Sequence, residues 1–184
     1  NKTSVIDLNQ TSQLLFQALQ VVKNVAKNNG RILFVSTKKQ ASELTSEYAK
    51  KCGQYYVNQK WLGGMMTNWK TISHSIKTLE KIEKDLANED LDLNKKERLV
   101  LERDRLKLES ALGGIRNMGG HPDLIVIVDI RREFNALSEA KKLGIPIVAV
   151  VDTNCNPDAV DFIIPGNDDS RQSIELLYHL ISSA

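Results

Sequence analysis

Residues 123–152 read DLIVIVDIRREFNALSEAKKLGIPIVAVVD. Two runs in this stretch, Leu124–Val128 and Ile147–Val151, are almost entirely β-branched and show no polar alternation. Such strands expect apolar neighbours on both faces, as in a parallel sheet covered by helices. Between them Phe134, Leu137 and the stem of Lys141 follow helical spacing; Gly144 ends the pattern, and Pro146 stands just before the next strand. A strand, a helix and a second strand of this kind make a right-handed parallel crossover, so the fold class is α/β.

Reading outward, Val5-Ile6, Ile32 to Val35, Tyr55-Tyr56-Val57 and Phe162-Ile163-Ile164 are further candidate strands. Leu15, Ala18, Leu19, Val22 and Val25 keep helical spacing, as do Ala41, Leu44 and Tyr48, and then Ile174, Leu177, Tyr178 and Ile181. Gly30 and Gly53 follow two of these patterns as stop signals. The result is an open α/β sandwich interrupted once. Between Asn68 and Leu112 there is no strand signal and many charges; Trp69, Ile72, Ile76, Leu79 and Leu86 recur near a 3-4 spacing, and Asn88 to Asp92 reads as a loop. The second arm pairs Leu99 with Leu106 and Leu101 with Leu108 at seven-residue separation, the two pairs facing different ways. We expect residues 68–112 to form an antiparallel coiled-coil helical hairpin inserted into a sheet domain of residues 1–67 and 113–184, with Gly63-Gly64 and Gly113-Gly114 as hinges.

The 184 residues suffice for one substantial core, and no apolar run approaches the roughly 18 to 20 residues of a membrane span. The start, Asn1 to Asp7, has neither an initiator Met nor a signal-peptide core, so the chain is read as beginning inside a longer product. Cys52 and Cys155 lie far apart and outside any paired metal spacing, which favours a reducing compartment. The formal charge of +2 hides a gradient: residues 1–60 carry +6, residues 61–120 carry +1 and residues 121–184 carry −5. A basic face toward nucleic acid is one consequence of such polarity, and mixing of the charges in space is the other.

Enzyme chemistry finds few parts. Ser36-Thr37-Lys38-Lys39 follows a strand where a doubly wound sheet binds ligands, but it lacks the glycine spacing of a dinucleotide or triphosphate cradle. A plain helix N-terminus and a basic RNA-facing turn are the other readings of this segment. His74, His121 and His179 fall on the hairpin, in a Gly/Pro turn and on the last helix, and read as surface or capping residues. Asp129, Asp152, Asp158, Asp161, Asp168 and Asp169 form an acidic series. Asp152, Asp168 and Asp169 could hold a Mg²⁺ ion, whereas capping by Asp169 or Ser170 and turn bonding by Asp152 explain them without one. The richest segment runs from Tyr55 to Lys70. Its Asn58, Lys60, Trp61, Asn68 and Lys70, like Lys38 and Lys39 earlier, combine cations, amides and an aromatic suited to RNA, while a packed sheet–hairpin junction accounts for the same composition.

This segment, with Tyr56-Val57-Asn58, Trp61-Leu62-Gly63-Gly64 and Thr67-Asn68-Trp69, resembles the signature of the ribosomal protein S2 family. The resemblance continues in order through Leu112 to Ile115, Met118-Gly119-Gly120, Asp152 to Asp158 and Ile164 to Asp169. It implies a flavodoxin-like sheet domain carrying a coiled-coil hairpin, and a non-catalytic constituent of the small ribosomal subunit that binds ribosomal RNA and neighbouring proteins, the mRNA-binding protein S1 among them. It also implies no cofactor, no membrane partner, and a place in the bacterial cytoplasm or in a mitochondrial or plastid ribosome. Two departures stand out. The family's basic, aromatic amino-terminal stretch is absent from these 184 residues, and Ser36 and Lys60 stand where glycine and arginine are common. Lysine keeps the charge but not the forked geometry of arginine. A flavodoxin-like nucleotide-binding enzyme and a free adaptor working through the hairpin are the alternative readings.

Overall fold

The computed structural model describes residues 7–153 and 155–184, so the expected strand at Val5-Ile6 lies outside the described residues. The elements are α1 (Leu8–Lys27), β1 (Ile32–Val35), α2 (Lys39–Lys51), β2 (Tyr55–Val57), α3 (Trp69–Ala87), α4 (Lys95–Leu112), β3 (Leu124–Val128), α5 (Phe134–Leu143), β4 (Ile147–Val151), β5 (Phe162–Pro165) and α6 (Arg171–Ser182). Single 3₁₀ turns cover Gly113–Ile115 and Pro157–Ala159. Among the described residues the strands form one all-parallel sheet in the order β2-β1-β3-β4-β5, the flavodoxin-like arrangement, in which the chain reverses direction across the sheet between β1 and β3.

Strand alternation sorts the core into two layers. Leu33, Val35, Ile125, Ile127, Ile147 and Ala149 face the side holding Trp61, Met65, Met66, Leu112, Met118 and the inner face of α5. Ile32, Phe34, Leu124, Val126, Val148 and Ile164 face α1, α2 and α6, where Tyr178 is fully buried and shares a hydrogen bond of 2.9 Å with the Thr45 hydroxyl. Burial pushes the Tyr178 phenol well above its ordinary range, so it stays neutral. Polar side chains begin several strands: Gln54 Oε1 accepts from Ile32 N–H, Asp123 from Arg31 N–H and Asp161 from Ile147 N–H, each at 2.8 Å. Asp161 therefore sits at the amino end of β4, away from the carboxylates it was grouped with in the sequence.

The helices α3 and α4 pack against each other. On α3 the residues Ile72, Ile76, Leu79 and Ile82 are buried, as a 3-4 stripe requires. Asn94 and Glu97 close a capping box at the start of α4. At the base, Arg116 reaches Glu83 of α3 at 2.5 Å and Glu109 of α4 at 3.5 Å. Ile72 and Ile76 belong to the same buried cluster as the sheet residues, with Trp69, Leu108 and Ala111 packed on it. The core thus runs without a break into the first turns of α3 and the last of α4. Gly114 marks a close contact there: a Cβ would overlap the Tyr56 carbonyl in the middle of β2.

Candidate nucleic-acid interface

The chain leaves β2 at the carboxyl edge of the sheet and crosses to α3 through residues 58–68. Asn58 is tied down first. Its amide donates to the Ser42 carbonyl at 2.8 Å, and its own carbonyl accepts from the Ser42 hydroxyl at 2.7 Å. Trp61, only 9% exposed, lies in the core, and its indole N–H donates to Glu139 Oε1 at 3.1 Å. Glu139 belongs to α5, yet it organises the whole crossing. The same oxygen accepts from Gly64 N–H at 2.7 Å, while Oε2 accepts from Met66 N–H, Thr67 N–H and the Thr67 hydroxyl at 2.9, 3.0 and 3.1 Å.

A buried carboxylate taking five donors is a strongly held anion. Burial alone would raise its proton affinity, but donation from Thr67, Met66, Trp61 and Gly64 outweighs that cost and holds the Glu139 carboxyl below its ordinary range. Gly64 at φ +83° supplies the left-handed turn that points these amides inward. His121, exposed at the surface, closes the far side with a ring nitrogen 2.6 Å from the Met66 carbonyl and so braces the loop.

The fixed loop leaves Lys60, Asn68 and Lys70 exposed, with Lys39 also exposed in the first turn of α2. Asn68 Oδ1 accepts from the Thr71 hydroxyl at 3.0 Å. Trp61 and Asn58, grouped with the RNA-facing residues on sequence grounds, instead form internal supports, because the indole is buried and the amide is committed to Ser42.

Lys38 requires the larger correction. It is 8% exposed, and its ammonium lies 2.6 Å from Asp169, 2.9 Å from Asp168 and 3.2 Å from Asp129. An ammonium has three hydrogens and here three carboxylate partners, which removes Lys38 from the phosphate-facing set. Burial opposes its charge, but hydrogen bonds to Asp169, Asp168 and Asp129 outweigh it and hold the amine well above the ordinary lysine range. For Asp168 burial prevails over Lys38, and its carboxyl is raised.

This hub fills the gap between the carboxyl ends of β1 and β3, where a doubly wound sheet opens to ligands. Beside it, Thr37 donates its N–H and its hydroxyl to the buried Glu133 at 2.6 and 2.7 Å, and Arg132 Nε donates to the Thr37 oxygen at 3.0 Å. Asp129 takes a left-handed backbone, φ +68°, and accepts from Arg132 N–H at 3.1 Å. Ser36, in place of the commoner glycine, is buried and donates to the Val128 carbonyl at 3.2 Å. A phosphate entering here would meet carboxylates. Oxygens of Asp152, Asp168 and Asp169 lie within 4.8 Å of one another, the only part of the acidic series brought together as a possible cation-binding group among the described residues, and two of them already pair with Lys38. Ser170, not Asp169, is the N-cap of α6.

Glu139 and Glu133 were absent from the sequence-based candidates. The signal was present: Glu139 stands three residues after Ala136 and next to Ala140, on the apolar face of a helix where a carboxylate needs internal donors.

Comparison with known proteins gives one consistent result. The family model described as Ribosomal protein S2 matches residues 1–184. The chain is 56% identical to proteins named small ribosomal subunit protein uS2 from Jannaschia sp. (strain CCS1) and Rhizobium meliloti (strain 1021), covering all of this chain and 67% and 72% of theirs. The similarly named protein of Chelativorans sp. (strain BNC1) is 54% identical over 184 residues, 69% of its length.

Proposed function

Since the chain belongs to the ribosomal protein S2 family, constituents of the small ribosomal subunit, we propose that it is a non-catalytic scaffold that binds ribosomal RNA through the exposed cations around the Glu139-held loop. Lys60 and Lys70, with Lys39, neutralise phosphates, and Asn68 fixes register. Trp61, Asn58 and Glu139 hold the loop in place and leave the contact to others. The observation that carries this reading is the five-donor clamp on Glu139, which spends a buried carboxylate on fixing a loop whose outward side chains are cations and an amide. Exposed carboxylates of the carboxyl-terminal third, such as Asp158 and Glu175, are available to basic neighbours, and attachment of S1 and contacts with adjacent subunit proteins belong to this proposal. The setting is a bacterial-type ribosome.

The test is a salt titration of binding to small-subunit RNA. Changing Lys60 and Lys70 together to Ala should weaken binding and flatten the plot of log affinity against log salt by about 0.7 to 0.9 for each lost phosphate contact. Weakened binding with an unchanged slope would overturn their role as phosphate ligands. A nucleotide-binding enzyme is disfavoured by one specific feature: the position a phosphate would take between β1 and β3 is occupied by the Lys38 ammonium and its three carboxylates.

A further inference from the structure

Helix α4 is apolar on two sides. Leu101 and Leu108 are partly buried, and Leu108 packs on the central cluster. Leu99 and Leu106, two residues earlier in each case and hence about 200° around the helix, project outward, 65% and 55% exposed. Next to them Val100 is 41% exposed. A helix in a two-helix hairpin needs one apolar stripe. A second stripe with seven-residue spacing is the pattern of a seam awaiting another helix.

The charges on one flank of this second stripe have a single sign. Lys96, Arg103 and Lys107 are exposed along one flank of Leu99 and Leu106, and Lys95 begins the other. The carboxylates on that other flank are taken: Glu102 pairs with Arg105 at 2.7 Å and Glu109 with Arg116 at 3.5 Å. Among the described residues neither Lys96 nor Arg103 has an ion-pair partner.

We propose that the outer face of α4 docks an acidic amphipathic helix of a protein neighbour, with apolar side chains against Leu99 and Leu106 and carboxylates against Lys96, Arg103 and Lys107. Flanking charges of this kind select the partner in helical seams. A second copy of this chain would set cations against cations. RNA would take up the cations and leave both leucines without apolar cover. The inference does not depend on which residues contact RNA.

Two measurements test it. First, the chain is titrated by fluorescence anisotropy with a synthetic helical peptide carrying Leu at every seventh position flanked by Glu, and with the same peptide flanked by Lys. The acidic peptide should bind at least ten-fold more tightly, and Leu99→Gln with Leu106→Gln should abolish the difference without lowering the melting temperature. Equal binding of both peptides, or binding indifferent to the leucine changes, overturns the proposal. Second, p-benzoylphenylalanine in place of Leu99 or Leu106 is photoactivated in assembled small subunits and the crosslinked product sequenced. A protein segment with excess Asp and Glu and apolar residues seven apart is expected, with yield falling at least five-fold when Arg103→Glu and Lys107→Glu are added. Crosslinks to RNA, to a second copy or to a basic segment, or none from either position, overturn it. Co-sedimentation of the same samples reports incorporation separately, so a failure of RNA anchoring is told apart from a failure of this seam.

Discussion

The Glu139 carboxylate accepts the Trp61 indole N–H at 3.1 Å although the two residues stand 78 positions apart in the chain, one on α5 and the other in the loop after β2. Four further donors from Gly64, Met66 and Thr67 converge on the same carboxylate. The loop that leads into the hairpin is therefore built around an internal anion.

Replacing Glu139 by Gln should destabilise the protein by about 1 to 3 kcal/mol, because the new NH₂ group would face the amide donors it cannot accept from. For a chain of this size each kcal/mol moves the melting temperature by roughly 2 to 4 °C. Thermal unfolding followed by circular dichroism measures it, and an unchanged midpoint would show that the clamp contributes nothing to stability.

The pH dependence follows from the depressed Glu139 carboxyl. A group whose folded pKa lies below its unfolded value, near 4.3 for Glu, stabilises the fold above that value and loses its contribution as pH falls through the folded pKa. Urea unfolding of the parent and of Glu139→Gln should differ most near pH 6 to 7 and converge in the acid range below about pH 4. A gap that widened on acidification would contradict the assignment.

Lys38→Met should cost on the order of 3 kcal/mol, since it leaves Asp129, Asp168 and Asp169 facing one another without a cation. Adding Asp168→Asn should recover part of that loss, which a double-mutant cycle in urea would read as a coupling of the two sites. RNA binding by Lys38→Met at a temperature where it remains folded should keep the parent's salt slope. A flatter slope would return Lys38 to the set of phosphate ligands.

Trp61→Phe and Trp61→Ala separate the two roles of the indole. The alanine variant should lose about 3 to 5 kcal/mol by emptying a core position, and the phenylalanine variant, which keeps most of the ring but not the N–H, distinctly less. Equal losses would mean that packing contributes little beside the Glu139 bond.

The hairpin we treat as separable only in its distal part. Replacing residues 86–105 by a short Gly/Ser linker keeps Ile72, Ile76, Leu79, Ile82, Glu83 and Glu109 and should leave cooperative melting, because loop closure costs little. Replacing residues 70–111 also removes Ile72 and Ile76 from the shared cluster and should broaden or abolish the transition. Identical melting of both variants would place the domain boundary at the foot of the hairpin.

The sequence alone determined the element types, because periodicity is a local property. Unbroken apolar runs identified β1, β3 and β4, a 3-4 spacing identified the helices, and a long strand-free charged stretch identified the hairpin. Its ordered motifs, from Trp61-Leu62-Gly63-Gly64 to Ile164 through Asp169, also carried the family resemblance. Only the tertiary structure decided which polar residues face inward. Lys38 and Lys39 are neighbours in an apparently basic turn, yet the start of α2 turns Lys38 onto carboxylates from beyond β3 and β5 and leaves Lys39 in solvent. Glu139 stands on the apolar face of α5, but its donors are set only when α5 is laid against the loop after β2. A charge is buried or exposed according to partners 72 to 130 residues away, and composition and spacing carry no information about pairings at that distance.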